Sequence, residues 1–431
     1  MPCESMAATK RCLLAIVCVI LLVAFGCDHG SQVKHEPVRD QQKRNQEIPP
    51  ATAQEIKLLQ EILNERPGDP AALFNLALDE ASIGEADKAL DLLQQMAGAH
   101  TGMDPREPAG RAFKTLSSDP RFVALVRQIE KENPPVIRSQ SAFAIHERDL
   151  APEGIAYDPV ERNFYVSSVT KSKIVRVGPD GKAQDFKAPG QDGLGLTLGI
   201  KVDAKRRFLW VVSIASHPEG GHSPSGVFQY DLKTGKLLFK HQLPPGSAGF
   251  LNDVALNSIG EGFATNTGTG EVFRMSSDHD GLESLLPANS IPQANGITLS
   301  TDEKVLFVAG WIGIIRVDLT TKQFFLLSKP RNVSDAGLDG MYFYKGSLVG
   351  IQNPDLHPGR VMRYYLNPAM DTIIRAQVLE AYNPSFDIPT TGTLVGDSLY
   401  FMANTQIEKR DTKNTSQDFW QEIKVLKLKC D

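Results

Sequence analysis

The sequence has almost no cysteine outside its first 27 residues. Four of its five cysteines, Cys3, Cys12, Cys18 and Cys27, lie in that N-terminal stretch, and the fifth, Cys430, is the penultimate residue. The long segment between Cys27 and Cys430 therefore holds neither a disulfide framework nor a cysteine-based zinc site.

The sequence also lacks an excess of positive charge and the glycine-rich or serine-centred motifs of several enzyme classes. Its net charge of −5 gives no support for a nucleic-acid partner, which would favour a basic domain. It contains no phosphate-cradling glycine loop and no Ser-centred nucleophile elbow. With 41% hydrophobic and 23% charged residues, the chain can form a normal core, and its 431 residues suggest two or three domains.

The sequence has no hydrophobic run of the length that typically spans a membrane. The apolar run at 12–25, which follows Lys10 and Arg11, is too short to span a bilayer comfortably but has the length of a signal-peptide core. Ala24-Phe25-Gly26-Cys27 then resembles a bacterial lipobox. We expect a signal peptide at 1–26, lipid attachment at Cys27 and a flexible tether at 27–50, which would place the protein in the bacterial cell envelope as a lipid-anchored, periplasmic or surface-facing protein. A plain secretory signal or an uncleaved anchor is the alternative.

Residues 51–134 are predicted to be helical. The sequence at 67–70, Pro-Gly-Asp-Pro, ends one helix and starts another. Small and apolar residues then follow at the spacing of a tetratricopeptide repeat, namely Leu73, Leu76, Ala77, Gly84, Ala89 and Leu93. This segment could bind a protein partner in a groove, or it could be a helical spacer packed on the next domain.

From about residue 140 the pattern becomes that of short strands separated by Gly, Asp, Asn and Pro. Six similar units begin near residues 154, 199, 253, 296, 340 and 392, and each contains a small residue, a strand, a polar turn and a second strand. Most continue into a third and a fourth strand. The sequence therefore predicts a mainly β fold, a six-bladed β-propeller over 140–431, closed by pairing of 141–147 with 423–426. A β-sandwich is the alternative.

The residues just before each innermost strand are expected at one mouth of the central channel. They are Glu153, Leu198, Asn252, Asn295, Asp339 and Thr391. Four of them are hard oxygen donors with a combined charge of −2, which suits a divalent cation. Calcium is the expected ion, with Mg²⁺, Mn²⁺ and Zn²⁺ as alternatives. Any one Asn or Asp here would by itself be explained by turn chemistry.

These motifs resemble the six-bladed propellers of the senescence-marker/gluconolactonase/luciferin-regenerating-enzyme family, with the paraoxonase-type lactonases as relatives. The resemblance covers residues 150–405 and rests on the stretches at 152–155, 251–254, 294–300 and 338–340. It implies that Glu153, Asn295 and Asp339 bind a metal, and that Asn252 is a ligand or a substrate contact. Leu198 stands where the paraoxonase type has a histidine, and Gly154 replaces a second acid, so a second calcium is not expected.

The resemblance implies a metal-dependent hydrolase of lactones or esters. In such an enzyme the metal would polarise the carbonyl group while Asp339 acts as base on the attacking water. His217 and His222, on a long loop of the second blade, are candidate substrate-binding residues, and His357 is a further candidate base or substrate contact. The alternative is a non-catalytic binding or scaffold lipoprotein in which the metal is structural.

Overall fold

A computed structural model describes residues 48–106, 108–178, 180–215, 225–353, 356–411 and 416–431. The predicted signal peptide and Cys27 lie outside these residues, as do most of the predicted tether and both candidate loop histidines, His217 and His222. Among the described residues, no helix is both long enough and apolar enough to cross a membrane.

The described chain begins with a small helical segment and continues as six four-stranded antiparallel sheets. The helices are α1 (Pro50–Glu65), α2 (Pro70–Ser82), α3 (Ala86–Ala97) and α4 (Pro120–Glu132), with a 3-10 helix at Pro108–Leu116 before α4. Asp69 caps α2 by accepting hydrogen bonds from the backbone N–H groups of Ala71 and Ala72. The predicted break at 67–70 is therefore confirmed.

The first three sheets are formed by consecutive strands. Blade one has β2 (Ile155–Asp158), β3 (Asn163–Ser168), β4 (Lys173–Val177) and β5 (Ala183–Lys187). Blade two has β6 (Leu196–Asp203), β7 (Phe208–Ile214), β8 (Ser225–Asp231) and β9 (Leu237–Gln242). Blade three has β10 (Leu251–Leu256), β11 (Glu261–Asn266), β12 (Val272–Ser276) and β13 (Glu283–Leu286).

Blades four and five are likewise formed by consecutive strands, whereas blade six combines strands from the two ends of the β-rich part of the chain. Blade four has β14 (Ile297–Leu299), β15 (Val305–Gly310), β16 (Gly313–Asp318) and β17 (Phe324–Leu326). Blade five has β18 (Leu338–Tyr344), β19 (Ser347–Gln352), β20 (Arg360–Leu366) and β21 (Ile373–Ala381). Blade six has β22 (Gly392–Val395), β23 (Ser398–Met402), β24 (Ile423–Lys429) and, outermost, β1 (Gln140–Ile145).

The six sheets form a closed propeller. The innermost strands contact one another in the cyclic order β2, β6, β10, β14, β18 and β22, and β22 returns to β2. Between each pair of neighbouring blades lies one apolar cluster, so the core is divided among six interfaces. Pairing of Ile145 with Ile423 ties the first strand to the last. The predicted fold and the predicted closing pair are both confirmed.

The helical segment packs on the propeller face that carries the channel mouth, above blades four and five. The turn after β15 lies at this end because the backbone N–H of Asn295 donates to Ala309 O. Trp311 and Ile312, in that turn, contact the apolar clusters of the helices. The segment is thus packed against the next domain, as one of the two interpretations of 51–134 expected.

A cluster of buried ion pairs holds the helical segment against the propeller at this junction. The Lys329 ammonium lies 3.3 Å from Asp69 Oδ2 and 2.5 Å from Asp335 Oδ1, and all three side chains are at most 5% exposed. Burial opposes the charge of Lys329, but the carboxylates of Asp335 and Asp69 outweigh it and raise the pKa of the lysine. The helical segment and the propeller are therefore joined by charge as well as by apolar contact.

Candidate functional site at the channel mouth

The mouth residues converge because neighbouring innermost strands approach very closely just behind them. In five of the six blades the mouth residue is followed by glycine, at positions 154, 199, 296, 340 and 392. A Cβ atom on Gly154 would lie 2.3 Å from Leu198 O, and one on Gly296 would lie 2.0 Å from Asp339 O. Only glycine fits at such distances, so these glycines allow the six strand ends to form a narrow ring.

Hydrogen bonds between blades hold the ring together. Thr390, next to the last mouth residue, donates through Oγ1 to Glu153 O at 3.1 Å. Thr265 of blade three donates to Asn295 O of blade four at 2.8 Å. The Gly340 N–H donates to Thr390 O at 3.1 Å. The backbone carbonyl groups of Glu153 and Asn295 are thus positioned by the neighbouring blades.

Blade three departs from the glycine pattern and places a third carboxylate in the channel. Asp253, at the position of the five glycines, is 3% exposed. Its carboxylate accepts from the N–H groups of Val254 at 2.8 Å and Ile297 at 3.4 Å, and lies 3.4 Å from Lys201 Nζ. Neither Asp253 nor Lys201 was a predicted site residue. Alignment of the six blade starts would have revealed Asp253, because it alone replaces the glycine.

Three of the innermost strands carry an irregularity at the mouth. The pairing register shifts between Thr197 and Ile200 in β6, between Leu251 and Val254 in β10, and between Leu338 and Met341 in β18. Such bulges turn side chains away from the regular alternation of a strand and are frequent beside active sites. These bulges explain how the side chains of Asn252, Asp253 and Asp339 depart from the regular faces of their sheets.

Two of the four predicted metal ligands present oxygen atoms that lack a partner. Glu153 Oε2 and Asn295 Oδ1 are both buried and have no hydrogen-bond partner among the described residues. Burial, followed by the nearby charges of Asp339 and Asp253, raises the pKa of Glu153 well above its ordinary value, while Lys201 opposes this rise. Buried oxygens without a partner are rare and costly, and a bound cation would satisfy both atoms.

The other two predicted ligands lie in the same ring and are held by neighbours. Asn353 Nδ2 donates to Asp339 Oδ2 at 3.3 Å. Asn252 Nδ2 donates to Thr267 Oγ1 at 2.9 Å, so its carbonyl oxygen is the atom that could face a metal or substrate. No three Asp, Glu, His or Cys side chains in the described ranges converge as metal ligands. A metal here would therefore need the Asn oxygens beside the carboxylates, a set that fits Ca²⁺.

His357 is not at the channel mouth, where it was a candidate base or substrate contact. It is fully buried at the junction with the helical segment, where Nδ1 is 3.3 Å from Gly102 O and Nε2 is 3.1 Å from Ser334 Oγ. Burial, followed by the charge of Arg360, lowers its pKa well below the usual value. The suggestion that His357 acts as a base or substrate contact at the mouth is wrong. The residue belongs to the interdomain contact.

Comparisons with known proteins concern the fold. The major allergen Mala s 1 of Malassezia sympodialis superposes with a TM-score of 0.51 at 14% identity, over 66% of this chain and 95% of that chain. A luciferin-regenerating enzyme (TM-score 0.47, 69% and 95% covered) and a gluconolactonase from Xanthomonas campestris (TM-score 0.45, 69% and 98% covered) are also 14% identical. No family model matches the sequence, and no curated protein matches it. At these identities the similarity shows the propeller fold alone.

Proposed function

We propose that the protein is a divalent-metal-dependent hydrolase of lactones or esters that acts at the channel mouth, with Ca²⁺ as the metal. The observation that carries this proposal is the pair of buried oxygens without a partner, Glu153 Oε2 and Asn295 Oδ1, beside Asp339. The sequence motifs around these three residues add support, because they resemble those of metal-dependent lactonases.

The charge of the channel favours one divalent cation. Glu153, Asp253 and Asp339 contribute three negative charges when ionised, and Lys201 contributes one positive charge, which leaves a balance of −2. Carboxylate and amide oxygens are preferred by Ca²⁺ and Mg²⁺, whereas Zn²⁺ prefers nitrogen and sulfur ligands. The mouth residues include no histidine or cysteine. Calcium is therefore favoured over zinc.

The chain's own residues have separate roles in this proposal. A bound cation would supply a Lewis acid that polarises the ester or lactone carbonyl. Asp339, oriented by Asn353, accepts the proton of the attacking water and returns it to the leaving oxygen as the acyl C–O bond breaks. Asn252, oriented by Thr267, contacts the substrate or the metal. His217 and His222 remain candidate substrate contacts outside the described residues.

The cellular setting is also a proposal. The segment before the helices supports a lipoprotein attached to the membrane through Cys27 in the bacterial envelope. The helical segment 51–134 is the proposed contact for a protein partner, through surface that its packing on the propeller leaves exposed. Labelling with a radioactive fatty acid, compared between the protein and Cys27→Ser, tests the anchor.

The test of catalysis uses a panel of lactones and aryl esters with the purified protein in calcium and in EDTA. Turnover is expected only with metal, and Asp339→Ala should abolish it, whereas Asp91→Ala, an exposed control on α3, should not. Turnover that is equal in EDTA would contradict the proposal. So would full activity of the Asp339 variant.

One observation favours the alternative of a non-catalytic binding or scaffold protein. Leu198, which is 8% exposed and packs in the apolar cluster between blades two and three, stands where the paraoxonase type has a histidine. If no substrate of the panel is hydrolysed but chelation still lowers the melting temperature, the metal is structural and this second function is supported.

A further inference from the structure

The loop that follows α3 lies on blade five through buried hydrogen bonds. The Asp104 N–H donates to Leu356 O at 3.0 Å, and Arg360 Nη1 donates to Thr101 O at 2.8 Å. Both bonds cross from the helical segment to the propeller. We refer to this packing of residues 101–104 on blade five as the loop contact.

The hydrogen bonds of His357 in the loop contact require a neutral ring. Its Nδ1 lies 3.3 Å from Gly102 O, and because a carbonyl oxygen only accepts, Nδ1 carries the proton. Its Nε2 lies 3.3 Å from Arg360 Nη2, and because a guanidinium only donates, Nε2 is the acceptor. A proton on Nε2 would face an N–H donor of Arg360 and would place two positive charges side by side.

Arg360 is a buried cation, 4% exposed, whose hydrogen-bond acceptors among the described residues are uncharged. They are Gln352 Oε1 at 2.5 Å, Thr101 O at 2.8 Å and His357 Nε2 at 3.3 Å. Burial lowers the pKa of Arg360 to about 10, so the guanidinium is still charged at neutral pH. A second charge on His357 would therefore add to a positive charge that no carboxylate offsets.

The other titratable groups on the surrounding elements do not supply a negative charge to His357. The nearest carboxylates each have a cation of their own, in the pairs Asp104 with Arg106 at 2.6 Å and Asp335 with Lys329 at 2.5 Å. The remaining groups are His100, which is paired with Glu132, and the phenols Tyr364 and Tyr382. Burial, followed by the charge of Arg360, lowers the pKa of His357. The loop contact thus excludes the charged form of His357.

We propose that the loop contact is acid-sensitive and opens when His357 takes up a second proton. In the open state His357 meets water and titrates near its ordinary value of 6.5, so below this pH the open state binds more protons than the closed state. The contact therefore has its full stability above pH 6.5. Below it, the ratio of closed to open loop falls about tenfold for each pH unit. The proposal does not depend on hydrolysis at the mouth.

The test measures hydrogen exchange of the Asp104 amide in the purified protein from about pH 5 to about pH 7.5, corrected for the intrinsic exchange rate at each pH. This amide is protected by its bond to Leu356 O, so its exchange reports opening of the loop contact. We expect protection to be constant above pH 6.5 and to fall about tenfold per pH unit below it. The amides of β24 (Ile423–Lys429), inside blade six, should show no such fall.

Two variants assign the effect to His357. His357→Gln keeps a donor and an acceptor but cannot become charged, so its Asp104 protection should not vary with pH. His100→Asn, an exposed residue just before the same loop, should keep the slope of the unmodified protein. If His357→Gln does not fold, ring-nitrogen NMR of the unmodified protein decides the matter, because the closed protein should show His357 neutral with its proton on Nδ1 at about pH 6. A charged His357 in the closed protein at that pH, a slope retained by His357→Gln, or pH-independent protection in the unmodified protein would overturn the proposal.

Discussion

Replacement of Glu153 by glutamine distinguishes a metal ligand from an ordinary buried residue. Glu153 Oε2 has no described partner, and burial with two nearby carboxylates raises the pKa of Glu153 well above its ordinary value, which favours the protonated side chain when no metal is bound. Glutamine has nearly the same shape as the protonated glutamate side chain and is likewise uncharged. We expect the free energy of unfolding of metal-free Glu153→Gln to stay within about 1 kcal/mol of the unmodified value near pH 4, below the ordinary pKa of 4.5, where the side chain is largely protonated in the folded and the unfolded chain.

With calcium present the two proteins should differ. Calcium at about 100 times its dissociation constant stabilises a protein by about 2.7 kcal/mol. For the propeller over 140–431, with an unfolding entropy of about 2.1 cal/mol/K per residue, that corresponds to a rise in melting temperature of about 4 °C. Glu153→Gln should lose most of this rise because the amide has one acceptor oxygen and no charge. Differential scanning calorimetry with and without calcium measures both effects.

The same variant has a defined pH dependence in the absence of metal. Since the folded-state pKa of Glu153 is raised, the native protein binds more protons than the unfolded chain above pH 4.5, the ordinary value. The stability of the unmodified protein should therefore fall as pH rises from 4.5 towards the raised pKa. Glu153→Gln lacks this contribution and should become the more stable of the two at high pH.

Glu283→Gln, an exposed glutamate on β13, is the matched control and should behave as the unmodified protein in all three measurements. A large loss of stability in metal-free Glu153→Gln, together with an intact calcium shift, would refute the reasoning. Glu153 would then be a structural residue of the ring.

Three further predictions concern the junction, a titration and the ring. Lys329→Met leaves the buried carboxylate of Asp335 without a cation and that of Asp69 with Arg66 alone, and should cost about 3–5 kcal/mol in urea unfolding. Asp79 has a pKa raised from 3.8 to about 7 by burial and then by two neighbouring glutamates, so stability should fall as pH rises from 4 through 7, and Asp79→Asn should flatten that part of the profile. Gly296→Ala should abolish the calcium-induced rise in melting temperature, whereas Gly98→Ala, in ordinary helical geometry, should retain it.

Each of these has a result that would count against it. An unfolding midpoint of Lys329→Met equal to that of the unmodified protein would mean that water reaches the ion pair. A pH profile of Asp79→Asn that keeps its slope would assign the titration to another group. A calcium response retained by Gly296→Ala would show that the ring can widen without loss of the metal site.

The amino-acid sequence by itself determined the repeated unit and hence the propeller. Strand alternation and turn residues are local signals, and their sixfold recurrence specified the blades, the closing strand and the polar residues before each innermost strand. The break between α1 and α2 was equally local, because Asp69 caps the helix that follows it. These features need no knowledge of which residues meet across the fold.

The tertiary structure decided which of those residues share a space. Lys201 and Asp253 come from different blades, and a strand register shifted by bulges brings them together in the channel. His357 looked like a loop residue, yet it is buried because the helical segment packs over blade five. Burial and contact between distant segments depend on packing of whole blades, which no local pattern encodes. The charge of the channel was therefore visible only in the folded protein.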